Sequence, residues 1–211
     1  MLDLQQLISE GEHQQQDFKY RVSDARKLAK SVSAFANTDG GRLLIGVRDD
    51  GHMSGVRSEE EIYMMHQAAF RYCRPASSIH FDTYHIGGRT IVVATIPPSD
   101  HRPVCAIDED DRQRAYIRIA DENIVASPVH LAMWRDEQNG HGTMITYTDT
   151  VRHILDVLAP QALSLNQLVR LSHIPRPKVI TILACLIRFG TVKCQYNHPT
   201  QQFLFSLKDE Q

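Results

Sequence analysis

Hydrophobic residues recur along this chain with two periods, and the switches between them mark out its elements. Asp3–Ser9 reads as a short helix and Phe18-Lys19-Tyr20 as a strand. Ser23 is placed to cap a helix in which Ala25, Leu28, Ala29, Val32, Phe35 and Ala36 share one face, with Arg26, Lys27 and Lys30 opposite. The polar trio Asn37-Thr38-Asp39 followed by Gly40-Gly41 ends that helix in a turn. Arg42–Val47 is strand-like, Asp49-Asp50-Gly51 reads as a hairpin turn and His52–Val56 as its return strand. Ser58 and Glu61 have the spacing of a capping box, opening a helix that runs to about Tyr72. Ile79–His85 and Arg89–Ile96 form a hairpin around Gly87-Gly88, and Ala115–Ile119 is a further strand. Ser127-Pro128 opens a helix through Trp134, with proline where its missing N–H leaves no bond unmade. Hairpins rather than strand–helix–strand repeats predict an α+β layer fold, not a doubly wound sheet.

The polar, glycine-punctuated stretch Asn139-Gly140-His141-Gly142 reads as a boundary, giving domains 1–138 and 144–211. Beyond it, Thr150–Ala159 is helical with Val151, Ile154, Leu155 and Leu158 inward, and Ser164–Ser172 is a second helix. Pro175 or Pro177 opens a third, carrying Val179, Ile182, Leu183, Leu186 and Ile187 inward until Gly190 stops it. Thr191–Gln195 and Gln202–Leu207 then pair across Tyr196–Gln201. Three helices and a terminal hairpin predict a winged helix-turn-helix.

The 211 residues suffice for two small domains with proper cores, and 42% hydrophobic with 23% charged residues is an ordinary globular balance. No apolar run is long enough to span a bilayer and the polar N-terminus is no signal peptide, so a cytoplasmic protein is expected. Cys73, Cys105, Cys185 and Cys194 lack any CxxC or ligand spacing and read as reduced thiols. The net charge of −2 is unevenly divided. From Met144 onward seven basic residues face four acidic ones, a balance of +3 that leaves −5 on the rest. That asymmetry points to a polyanion surface on the smaller domain.

The run Ser33-Ala34-Phe35-Ala36-Asn37-Thr38-Asp39-Gly40-Gly41-Arg42-Leu43-Leu44-Ile45-Gly46-Val47-Arg48-Asp49-Asp50-Gly51 resembles the signature of the Schlafen-type Alba-like domain. Glu12-x4-Asp17-Phe18-Lys19 is similar to that family's Glu-x4-Glu-Phe-Lys element, and Tyr116–Ile119 through Ser127 to its closing strand. The family is often described as divergent AAA or as DNA-binding transcriptional regulators, and an appended winged helix is what the resemblance implies. It also implies a carboxylate trio, Glu12, Asp17 and Asp49, for RNA cleavage with a divalent metal. Three carboxylates on one cleft would suit Mg²⁺ or Mn²⁺ and activate a water against a phosphodiester. Asp17 stands where the family has Glu, one methylene shorter. The plain alternative makes Glu12 and Asp17 solvated loop acids and Asp49-Asp50-Gly51 only a turn.

Gly40 and Gly41 let the backbone take positive φ and approach a partner closely, and with Asn37 and Thr38 they offer donors to a phosphate. The competing use is simply to turn a helix into a strand. No Walker loop is present, which argues against an ATPase, and no HExxH or GxSxG occurs. Arg118 is expected to pair with an acid. In the winged helix, Arg176 and Lys178 open the third helix, where a recognition helix meets the major groove; Arg170 precedes them and Lys193 lies on the wing. With Lys19 these are the candidate nucleic-acid contacts. The sequence therefore predicts a nucleic-acid-binding regulator, DNA favoured over RNA, acting as a homodimer, with a metal-dependent endoribonuclease or a docking module as the alternatives.

Overall fold

The computed structural model describes residues 3–56, 58–138 and 146–208, and the chain divides into two compact units, Met1–Ala126 and Ser127–Gln211. The expected boundary at Asn139-Gly140-His141-Gly142 lies outside the described residues. Among those described, no helix is long and apolar enough to cross a membrane.

The first unit is a stack of layers. Strands β1 (Gln16–Lys19), β2 (Gly41–Ile45), β4 (His80–Ile86) and β5 (Arg89–Ile96) form one sheet in the order β1-β2-β5-β4, with β1 parallel to β2. A second sheet has the order β3-β6-β7-β8, from Cys73–Arg74, Cys105–Ile107, Gln113–Ile119 and Glu122–Val125. Helix α2 (Ala25–Asn37) packs against both sheets, so Leu28, Ala29, Val32 and Phe35 share a core with Leu43, Ile45, Val92 and Ala94 of one and Ala106 and Tyr116 of the other. The alternate residues Leu44, Ile91 and Val93 face the other way, onto Leu4 and Leu7 of α1 (Leu4–Glu10). This is the period-two alternation of a sheet covered on both faces.

Local chemistry departs from expectation at three places. The cap of α2 is Asp24, not Ser23; its carboxylate accepts the N–H groups of Arg26 and Lys27. Helix α3 (Glu59–His66) begins after Ser58 without a side-chain cap, and the buried Glu61 carboxylate accepts Val22 N–H at 3.2 Å instead of closing a capping box. The helix does continue as far as expected, through one π-helical turn at Gln67–Arg71. The return strand His52–Val56 reduces to a single bridge between Val47 and Met53. Gly46, at φ 89°, turns the chain aside, and its carbonyl takes the N–H groups of both Ser54 and Gly55.

The second unit holds α4 (Pro128–Gln138), α5 (Asp149–Leu158), α6 (Leu165–Ser172) and α7 (Arg176–Arg188) with a sheet ordered β10-β11-β9, from Val192–Asn197, Gln202–Leu207 and Leu163–Ser164. Val129, Ile154, Leu158, Leu168, Val179, Leu183, Leu186 and Phe205 make its core. Val129 places α4 here, although the sequence reading set that helix before the boundary. Ser164 caps α6 in a full capping box with Gln167, Pro175 stands at the N-cap position of α7 without a side-chain cap, and Gly190, at φ 72°, follows its end.

Candidate nucleic-acid interface

The signature run is mostly spent on internal bonds. Ser33 and Asn37 lie one turn apart on α2 and face β7. Ser33 Oγ donates to Val104 O and accepts Tyr116 N–H; Asn37 Nδ2 donates to the carbonyls of Val104 and Tyr116, and its Oδ1 accepts Val104 N–H. Thr38 Oγ1 donates to Ala34 O and accepts Arg118 N–H. These side chains therefore fasten α2 to the second sheet, and the amide of Asn37 is buried. Gly40 takes φ 71° and gives its N–H to Phe35 O. Gly41 lies in β2 without positive φ; what demands glycine there is the Phe35 ring, which a Cβ would overlap. Both glycines line a cleft of about 270 Å³ with Asp39, Arg42 and Pro98. The Arg42 guanidinium is already bonded to Gln16 Oε1 at 2.8 Å and Glu10 at 3.1 Å.

Of the acidic trio, the fold brings two together. Glu12 Oε1 accepts Phe18 N–H at 2.8 Å, and its carboxyl shares a hydrogen bond with Asp17. Burial first, and that bond second, raise the Glu12 carboxyl above its ordinary range. Asp17 is 4% exposed, with Lys19 Nζ 2.6 Å from one oxygen and Arg118 Nη2 3.5 Å from the other. Arg118, 2% exposed, also donates to Gln16 O and Asn123 Oδ1 and lies over the Phe35 ring, while its Nε has no hydrogen-bond partner among the described residues. The ion pair expected of Arg118 is thus present. Asp49 is exposed in its turn. Among the described residues no group of three His, Cys, Asp or Glu side chains is placed to hold a metal ion. The donor set does not fit Mg²⁺ or Mn²⁺: Asp17 is neutralised by two cations of the chain itself, and Asp49 does not join the pair. No hydrolytic step follows from it.

Beside this pair, Lys19 continues into a cleft of about 250 Å³ walled by Arg21, Ser23, Asp24 and Lys27 at the start of α2. The sequence reading named Lys19 as a candidate contact and did not name Arg21, which lines the same cleft. The available signal was the cluster Lys19, Arg21, Lys27 flanking a capped helix start. In the second unit, Arg170 is exposed near the end of α6, and Arg176 and Lys178 are exposed in the first turn of α7. Arg176 Nη1 donates to Asn166 Oδ1 at 2.6 Å and Lys178 Nζ to Thr150 Oγ1 at 3.4 Å. Lys193 is half-buried on β10.

No curated protein matches the chain. Among solved structures, the DIP2311 protein from Corynebacterium diphtheriae is 18% identical over 81% of this chain, with a TM-score of 0.49; the chain spans only 32% of that protein. The N-terminal domain of a RecG-related protein from Nitrosomonas europaea is 26% identical over 56% of this chain and 90% of its own, with a TM-score of 0.41. The family model described as Schlafen, AlbA_2 matches residues 12–127, more than half of the sequence and nearly all of the first unit. The signature helix α2, its glycine turn and the closing strand β7 all fall within that match, and the chain belongs to the Schlafen AlbA_2 family.

Proposed function

We propose that this protein is a nucleic-acid-binding regulator whose second unit acts as a winged helix on duplex DNA, with the chain working as a homodimer. The order helix, short strand, helix, helix, hairpin in α5 to β11 supports that assignment. The observation that carries it is the exposure of Arg176 and Lys178 in the first turn of α7, where the later turns bury Leu183, Ala184 and Leu186. A recognition helix contacts base edges through such an N-terminal turn. Arg176 is the better base contact, because a planar guanidinium pairs both acceptors of a guanine edge; Lys178 suits a phosphate. In the first unit, exposed Arg21 and Lys27 at the start of α2 add a second basic surface, Lys19 being held by Asp17 and the Phe18 carbonyl.

The test is duplex binding by fluorescence anisotropy over a salt series. Phosphate contacts release counterions, so two contacts from Lys178 and Arg170 give a slope of log K against log salt of about −2. Lys178→Ala flattens it by about one unit on every sequence, whereas Arg176→Gln loses about 1–3 kcal/mol on the preferred site and less on random DNA. Negligible binding at low salt, or two variants that bind like wild type, makes the second unit a docking module instead. Sedimentation of the free protein checks the homodimer.

A further inference from the structure

A cleft of about 200 Å³ opens in the second unit between the starts of α4 and α6, the first residue of α7 and strand β11. Its polar walls are Arg176, Asn166 and Gln202, and its apolar surface is Pro128 and half-buried Phe203, over the buried Leu165 and Phe205. Arg176 is the one charged side chain among the described residues that line it, and no carboxylate is among them. The guanidinium is anchored by a single bond to Asn166 Oδ1; a guanidinium has five N–H donors, and the others have no partner among the described residues. Phe203 is held by its neighbours. The His130 ring meets it edge-on at 4.8 Å and the Tyr196 ring leans on it at 5.1 Å. Behind it, His130 is neutral and accepts or shares the Ser127 hydroxyl proton at 2.7 Å, so it adds no second charge.

We propose that this cleft binds a small organic anion, a carboxylate carried on a single aromatic or branched apolar body. A pre-anchored guanidinium fork with free N–H groups matches a planar carboxylate in a bidentate pair. Phe203 and Pro128 take the apolar body out of water, which a bare inorganic anion would leave uncovered. The volume is below the roughly 300–1,000 Å³ of drug-sized sites, so it suits one ring with its acid group. A ligand there also engages the guanidinium assigned above to a base edge. Anion and duplex therefore compete for Arg176; this coupling rests on the DNA reading, while the site itself does not.

The experiment is calorimetric titration of the full chain with benzoate, and with inorganic phosphate and benzyl alcohol as probes carrying only the charge or only the ring. Benzoate is expected to saturate with a Kd of about 1 mM or tighter. The two partial probes bind at least about tenfold more weakly, and so does benzoate to Arg176→Gln, since a charge-assisted bond is lost. Gln202→Glu, at an exposed wall position, weakens benzoate similarly by repulsion while the melting profile stays that of wild type. Absence of saturation below about 20 mM overturns the site. Equal affinity for phosphate, or for benzoate in Arg176→Gln, overturns its ligand class. Benzoate binding without any duplex binding supports the cleft and removes the DNA reading; duplex binding without benzoate binding does the reverse.

Discussion

Among the described residues, the first unit buries eight polar or charged side chains and the second buries two, Ser164 and Ser172. In the first, α2 is enclosed between sheets and carries Ser31, Ser33 and Asn37 inside, where strand backbone and Asn123 satisfy them. Its specificity is one of hydrogen bonds, since each buried donor has one geometry that works. In the second, α5 to α7 keep apolar residues on the core side, and the two buried serines sit at the ends of α6. Its stability is that of packing, with caps at the helix ends. The first unit should therefore fail sharply when a single polar partner is removed, and the second through charge burial and end effects of moderate size.

The largest effect is expected at Arg118. Arg118→Met leaves Asp17 buried beside Glu12 with only Lys19 to balance it, and should lower stability by about 3–5 kcal/mol in urea unfolding. A loss under about 1 kcal/mol would mean that packing, not the polar network, holds the first unit.

The second unit has its own titrating group, the half-buried His130. Burial holds His130 down to about 4, against an ordinary value near 6.5. The unfolded chain thus binds the proton more tightly, and the stability is complete above about pH 6.5 and drains away as pH falls toward 4. The loss is on the order of 2 kcal/mol, read from unfolding midpoints at pH 7.5 and 4.5, and His130→Gln should flatten that dependence. An unchanged slope in the variant would transfer the effect to carboxylates elsewhere.

Smallest is the cap of α6. Ser164→Ala should lose about 1 kcal/mol, and Ser164→Asp should recover most of it, because either oxygen accepts the Gln167 N–H. Equal loss in both variants would show that the Ser164 hydroxyl matters for its buried bond to Gln167 Oε1 rather than as a cap.

The contrast also governs what the sequence discloses. Residues 149–207, the short strand Leu163–Ser164 apart, are legible because each helix carries one apolar stripe and recognisable stops, down to Gly190. In the first unit the core of α2 and the hairpin at Gly87-Gly88 were equally plain. The strands Cys73–Arg74, Cys105–Ile107 and Glu122–Val125 were not, being too short for alternation to register. Ser23 and Asp24 both suit a cap, and only the geometry chose Asp24. Glu61 has capping-box spacing, yet Val22 N–H, brought close by the fold, outbids the local bond. Gly41 shows the same limit: its requirement comes from the Phe35 ring, and nothing local distinguishes it from the turn glycine Gly40. At the candidate sites, the exposed cations of α7 follow from helix phase. The engagement of Asp17 by Arg118 does not, because the partner is a hundred positions away.

That distance matters while the protein is being made. A ribosome releases Gln16 and Asp17 first and Arg118 102 residues after Gln16, which is about 5–20 s later at about 5–20 residues per second. Through that interval the nascent strand Gln16–Lys19 carries an acid that only its own Lys19 balances, at a position the finished fold closes to water. A chain truncated before residue 118 lacks the guanidinium that completes this buried ion pair, and its first strand should be held less firmly against chaperones and proteases.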